Sequence, residues 1–392
     1  MTDPKTRQIP YGRQSIVDED VAAVEAVLRS DWLTQGPTIE RFERRVAEYC
    51  GARYAVAVSS ATAALHVACL ALRMGPGDLL WTAANTFVAS SNCALYCGAQ
   101  VDFVDIDPHT LNLSVPDLAR KLEQAERLGR LPKVVVPVHF AGQSCDMAAL
   151  HALAQRYGFA LLEDASHAIG GRYQGRPVGD CRFSDAAVFS FHPVKIVTTA
   201  EGGMVVTNRE DLYRSLLRLR THGITRDPAQ MVGPPDGPWA NQQIELGYNY
   251  RMTDLHAALG LSQMDRLDGF VARRRELVAR YREALAGLPL RVPTCIADAD
   301  PAWHLQVVTL ARPETRRAAY DALRREGIQV NVHYLPVYLH PYYRGLGFEP
   351  GLCPHAEAYY AGALTLPLFP DLSERDFDTI VGKLTSTLSE AA

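Results

Sequence analysis

No tract of lysine or arginine stands out in these 392 residues, and no apolar run approaches the ~18–20 residues needed to cross a bilayer. Each absence excludes a class. The 40 basic and 44 acidic residues are interspersed, for a formal net charge of -4, so no concentrated positive charge exists to displace counterions from nucleic acid or an anionic membrane. Neither partner is expected. The eight cysteines are scattered from Cys50 to Cys353, and the closest pair, Cys93 and Cys97, has no His/Cys partner motif nearby. That spacing reads as buried thiols in a reducing compartment, with no metal site and no disulfide framework. Met1–Pro10 contains no apolar signal core, which makes the cytoplasm the expected location. Internal repeats, low-complexity segments and a P-loop Gly-Lys-Ser/Thr are missing too, and nucleotide hydrolysis is not expected.

What is present is an ordinary globular composition, 47% hydrophobic and 21% charged, in a chain long enough for two domains. An N-terminal arm precedes two helical stripes. The first is Val21, Val24, Val27 and Leu28; the second, Ile39, Phe42, Val46 and Tyr49, starts near Pro37 and stops at Gly51. Candidate strands follow at Tyr54–Val58, Leu79–Thr82, Val101–Val104, Val134–Val138, Ala160–Glu163, Ala187–Ser190 and Met204–Thr207. Several are apolar at consecutive positions, as strands of a parallel sheet covered on both faces are, and their alternation with helices predicts an α/β domain. Residues 226–243 hold four prolines and two glycines and read as a mobile loop. A long helix capped by Thr253, with Leu255, Leu259, Met264, Leu267, Val271 and Val278 on one face, is expected to lead into a smaller C-terminal α/β unit.

Three segments carry chemistry. In Gly158–His167 a strand ends in Asp164, at the sheet edge where open α/β sheets bind ligands. An acid there suits the pyridine nitrogen of pyridoxal phosphate (PLP), whose ring then accepts electrons from a breaking bond; capping of the next helix is an equal alternative. In Ser190–Gly203 an apolar strand leads to a hydroxyl, then Lys195, then Gly202-Gly203. An isolated loop lysine is a solvated charge, but beside a phosphate-binding hydroxyl and a Gly-Gly turn it reads as the amine that forms a Schiff base with PLP. In Val58–His66 a strand turns into a helix at Ser60-Ala61-Thr62, either a phosphate cradle of backbone N–H groups and the Thr62 hydroxyl or a simple N-cap. Phe87 reads either as a ring lying on the pyridine or as core.

Together these segments resemble the DegT/DnrJ/EryC1/StrS family of sugar aminotransferases, fold-type I PLP enzymes. The resemblance is carried in family order by Leu33–Gly36, Ser60–Leu65, Thr86–Val88, Glu163–His167, Ser190–Lys195, Thr198–Gly203 and Gly247–Met252. It implies a mostly parallel central sheet covered by helices: an arm and large PLP-binding domain (1–252), a linking helix (253–287) and a small C-terminal α/β domain (288–392). It implies Lys195 as the Schiff-base lysine and Asp164 as the pyridinium partner, with His167 near the cofactor's phenolate. Ser60, Ala61, Thr62 and Ser190 would hold phosphate, Phe87 would lie by the ring, and Asn249 would reach in from a second subunit of a homodimer. Tyr11, Leu33, Thr34, Gln35, Gly36, His333, Tyr334, Leu335 and Pro336 would contact the nucleotide sugar.

Ile9–Gln14, Asp31–Gly36, Val138–Gly142 and His333–Pro336 point, within the family, to the pseudaminic acid branch. The implied reaction moves an amino group from L-glutamate to C4 of a UDP-linked 4-keto-6-deoxy-N-acetylhexosamine. The freed Lys195 amine would have its pKa depressed toward neutrality by the cationic cofactor. Two departures stand out: Ala61 replaces a common glycine, which is tolerable if φ stays negative, and His256 replaces a usual glutamine. Lys195 argues against the family's dehydratase branch, which has histidine there. The intact set Asp164, His167, Ser190 and Lys195 argues against a regulatory member without turnover.

Overall fold

Every position of the strands Ala186–Ser190 and Gly203–Thr207 is buried, which requires apolar or internally bonded residues on both faces. These two belong to a seven-stranded sheet built from β1 (Tyr54–Val58), β2 (Leu79–Ala83), β3 (Gln100–Val104), β4 (Val134–Val136), β5 (Ala160–Asp164), β6 (Ala186–Ser190) and β7 (Gly203–Thr207). The computed structural model describes residues 8–390; the first seven residues of the expected N-terminal arm lie outside the described residues. Strand order is β1-β7-β6-β5-β4-β2-β3. Six strands run parallel, and only β7 opposes its neighbours β6 and β1. All seven expected strands are therefore in one sheet. β4 stops two residues short of its expected end because Pro137 has no N–H for the ladder.

Eleven helices are named here: α1 (Asp18–Leu28), α2 (Pro37–Cys50), α3 (Ala61–Ala71), α4 (Ala89–Tyr96), α5 (Val115–Arg127), α6 (Met147–Tyr157), α7 (Glu210–Leu219), α8 (Asp254–Asp265), α9 (Leu267–Ala284), α10 (Arg316–Arg325) and α11 (Glu374–Glu390). Alternation along the strands sorts their side chains onto two faces. Val56, Val58, Val188 and Val205 pack with Leu65, Leu118, Leu150 and Leu216 from α3, α5, α6 and α7. Ala55, Ala57, Phe189 and Val206 pack with Phe42, Val46, Met264 and Val271 from α2, α8 and α9. Burying side chains such as Phe42 and Phe189 contributes about 2–3 kcal/mol each.

Two helical expectations change. In α1 only Val27 of the expected stripe is buried; Val21 and Leu28 are more than half exposed, and the residue turned fully inward is Asp20. Its carboxylate accepts from Ser262 Oγ (2.6 Å), Gln263 Nε2 (2.9 Å) and the Arg266 guanidinium, so α1 docks by polar contacts. The long helix is two, because Arg266, at φ -105°, ψ 0°, breaks it, and its guanidinium donates to Ser15 O (3.1 Å) as well as to Asp20. Thr253 does cap α8, its side chain accepting from His256 N.

Beyond α9, strands β8 (Leu290–Arg291), β9 (Gln306–Leu310) and β10 (Ala363–Leu366) form an antiparallel sheet in that order. Its core joins Val308 and Leu364 to Leu323 of α10, Ile380 of α11, Tyr281 of α9 and the N-terminal Ile9.

Candidate active site

Three parallel-strand ends meet at one edge of the large sheet. β1 ends at Val58 and the chain turns at Ser60 into α3; β5 ends at Asp164; β6 ends at Ser190 and turns through His192 to Lys195. Ser60, Ala61, Thr62, Phe87, Asp164, His167, Ser190 and Lys195 line one cavity of about 830 Å³. Tyr11, His333, Tyr334 and Leu335 close it from the side of the smaller sheet.

Ser60 is the N-cap of α3, and its Oγ accepts from Ala63 N at 3.1 Å. The first N–H groups of the helix have no intrahelical acceptor and face a site suited to an anion. Ala61 is not among the residues with positive φ, so its methyl group introduces no backbone strain here. Gly203 matters more. A Cβ there would lie 2.5 Å from Ser60 O and 2.6 Å from Ala61 N, so only glycine lets β7 press against this turn. Gly203→Ala is expected to open the turn, weaken anion binding by about tenfold and cost about 1–3 kcal/mol of stability. Cofactor titration and thermal melting would check this.

Asp164 is buried, with Oδ2 accepting from Ser90 Oγ (2.6 Å) and Oδ1 from Ser166 N (3.1 Å). Ser90 in turn meets Thr86 Oγ1 at 2.7 Å. The Lys195 side chain is half-buried, and burial pulls its pKa down to about 8, although Asp164 pulls the other way. Protein surroundings alone thus move the amine toward neutrality. Burial, with Lys195 and His333 nearby, holds His167 well below its ordinary value and neutral. Its Nε2 lies 3.5 Å from Tyr334 OH. Phe87 is 57% exposed, an aromatic face left open on the cavity wall.

Not every expected residue joins this cavity. Leu33–Gly36 is tied instead to the start of α8: Asp254 Oδ2 accepts from Gly36 N (2.8 Å), and Asp254 N donates to Leu33 O (3.0 Å). Gln35 and Gly36 line a separate hollow of about 190 Å³ with Arg220 and Arg251. Asn249 is exposed, bridged to Thr221, and Pro336 adjoins the lining residue Leu335 without lining the cavity itself. Sequence reading missed Ser90, Ser166 and His304. Ser90 is one helical turn past Thr86-Phe87, a signal that was available. His304 is 109 residues from Lys195, with its Nε2 3.5 Å from Lys195 Nζ, and nothing local marks it.

The model of the DegT/DnrJ/EryC1/StrS aminotransferase family matches residues 14–385. The spore coat polysaccharide biosynthesis protein SpsC of Bacillus subtilis is 39% identical over 387 residues, covering 97% of each chain. Among solved structures, Spr1654 of Streptococcus pneumoniae in its PMP form superimposes with a TM-score of 0.89 at 31% identity, over 98% of this chain and 100% of that one. The same protein has been solved in a PLP form. Helicobacter pylori PseC, an aminotransferase of pseudaminic acid biosynthesis, has a TM-score of 0.89 at 28% identity, over 98% of this chain and 100% of that one.

Proposed function

This chain belongs to the DegT/DnrJ/EryC1/StrS aminotransferase family, a family of PLP-dependent sugar aminotransferases, and from that premise we propose the following reaction. It carries the amino group of L-glutamate to C4 of UDP-2-acetamido-2,6-dideoxy-β-L-arabino-hex-4-ulose, giving UDP-4-amino-4,6-dideoxy-N-acetyl-β-L-altrosamine for pseudaminic acid synthesis. The observation that carries this reading is the shared cavity of Lys195, Asp164 and the α3 N-terminus, an amine, an acid and an anion cradle in one space. The similarity to PseC supports the sugar.

The residues fit PLP on three observations. The Cβ-free approach of Gly203 shapes a turn that suits a phosphate, His167 Nδ1 is buried without a partner among the described residues, and Phe87 leaves a ring face open. PLP, when bound, supplies a carbonyl that takes up the amino group and a ring that spreads the electron pair left at Cα. Ser60, the Ala61 N–H, Thr62 and Ser190 would hold the phosphate. Asp164, with each oxygen already holding one donor, would keep the pyridine nitrogen protonated. Lys195 would hold the cofactor through Nζ; once free, Nζ would take the Cα proton of the amino donor and, in the second half-reaction, give a proton to C4 of the sugar. His167, buried, and Tyr334, half-buried, flank that path and limit water. Tyr11 and His333–Leu335 hold the nucleotide sugar.

A second copy completes the site by bringing Asn249 to the phosphate and Leu33–Gly36 to the substrate. In one chain these groups lie outside the cavity, and Val21, Leu28, Trp32 and Leu33 are exposed apolar residues that a partner would bury. Light scattering is expected to find a homodimer, and Val21→Glu with Leu28→Glu to lose both dimer and activity. A fully active monomer would overturn this. Product NMR with the two C5-epimeric UDP-4-keto sugars and L-glutamate tests the substrate. Amination of the β-L-arabino epimer is expected; turnover of the other epimer alone would instead favour a different 4-keto-6-deoxy sugar, of bacillosamine or perosamine type.

A further inference from the structure

We infer that His304 is the resting partner of the Lys195 amine: its neutral imidazole accepts a hydrogen bond from Nζ whenever that amine is free, fixing where it waits and how firmly it holds its proton. This rests on Lys195 being the reactive amine. His304 Nε2 is 3.5 Å from Lys195 Nζ, the outer limit of a hydrogen bond, which a flexible lysine stem can shorten.

The backbone that carries the imidazole is held on several sides. His304 N donates to Ala141 O at 2.8 Å, and Arg274 Nη1 donates to the carbonyls of Trp303 (3.4 Å), His304 (3.3 Å) and Leu368 (3.1 Å). Arg274 is a buried cation, and its Nη1 is the atom that holds this segment. Gly142 seats the same loop, since a Cβ there would come within 2.6 Å of Trp303 N. The His167 ring, 4.5 Å away between centroids, closes another side.

The charged and titratable groups facing His304 are Lys195 after β6, His167 after β5, Arg274 on α9 and His333 beside β10; Asp164 at the end of β5 faces Lys195. Burial first, and then the neighbouring cations, hold His304 well below its ordinary range. It therefore accepts a hydrogen bond without taking the proton, which stays available on Nζ. The matching tautomer carries its proton on Nδ1, an atom buried with no partner among the described residues. His304 is a positioning residue, acting through Lys195.

An acceptor aimed at Nζ favours the ammonium form, so removing it makes the amine more often neutral and less well placed. Opposite changes in reactivity and turnover follow, which a merely structural role would not produce. The test compares apoenzyme of wild type, His304→Leu and His304→Gln by the pH dependence of trinitrobenzenesulfonate modification, mapped to Lys195 by peptide mass. In His304→Leu the midpoint is expected to fall by about one unit, raising modification at pH 7 about fivefold, while kcat of the holoenzyme drops about tenfold or more. His304→Gln, which keeps an acceptor, is expected to stay within about twofold of wild type in both. Should His304→Leu fail to fold, His304→Asn, whose shorter side chain withdraws the acceptor, carries the same expectation. An unchanged midpoint in the folded variant overturns the inference. If Lys195→Ala still captures PLP covalently, the reading of Lys195 itself falls, whatever the midpoint does.

Discussion

Lys195→Ala is expected to abolish transamination, with a loss beyond the ~10²–10⁴-fold that a positioned acid–base group supplies, because the covalent anchor disappears as well. The size of the effect follows from what the cavity does to this amine. A solvated lysine, with its ordinary pKa of 10.5, would be almost wholly protonated at pH 7; at about 8 its neutral fraction is roughly 300-fold larger. Burial lowers the folded-state pKa by disfavouring the ammonium, so the neutral amine gains as pH rises toward 8. Uptake of PLP by wild-type apoenzyme is accordingly expected to rise about tenfold per pH unit below 8 and to level off above it. Stopped-flow absorbance would follow it. A profile still climbing at pH 10 would mean that the amine is not perturbed, and a small primary amine restoring part of the activity to Lys195→Ala would support the proton-carrying role.

Asp164→Asn is expected to cost about 10²–10³-fold in kcat with little change in melting temperature. The amide keeps an oxygen for Ser90 Oγ, now held at 2.6 Å, and occupies nearly the same volume, so packing is preserved. What it loses is the negative charge at the end of β5 and, because an NH2 group cannot accept, the bond from Ser166 N, which costs only about 1 kcal/mol. Ser90→Ala is expected to show a milder loss, about three- to tenfold, since Ser166 N still fixes the other oxygen at 3.1 Å. Steady-state kinetics with parallel melting curves would separate charge from stability. An Asp164→Asn enzyme with wild-type kcat would remove the carboxylate from the mechanism.

The central strands were legible because a strand buried on both faces has to be written in consecutive apolar residues, and the Pro137 stop on β4 is equally a local matter. The carboxylate, hydroxyl and lysine were legible because each follows its strand within a few residues, so the sheet edge gathers Asp164, Ser190 and Lys195 by topology. The orientation of α1 was not. Val21, Val24, Val27 and Leu28 make an apolar stripe in the sequence, yet Asp20 is the side chain turned inward, since Ser262, Gln263 and Arg266 wait for it more than 240 residues away. The break at Arg266 is likewise announced by no residue in the helix itself.

By itself, then, the sequence determined the order of strands and helices, the parallel sheet, and which amine, acid and strand-to-helix turn would stand at one edge, because hydrophobic period and strand-end position act locally. Tertiary structure decided the rest. It closed the cavity with His333–Leu335 from the smaller sheet, set His304 against Lys195 and Ser90 against Asp164, and left Leu33–Gly36 and Asn249 outside the single chain's cavity. Those pairings join distant stretches of chain, and only packing determines which distant side chains share a buried, weakly solvated space where a lysine comes close to neutrality.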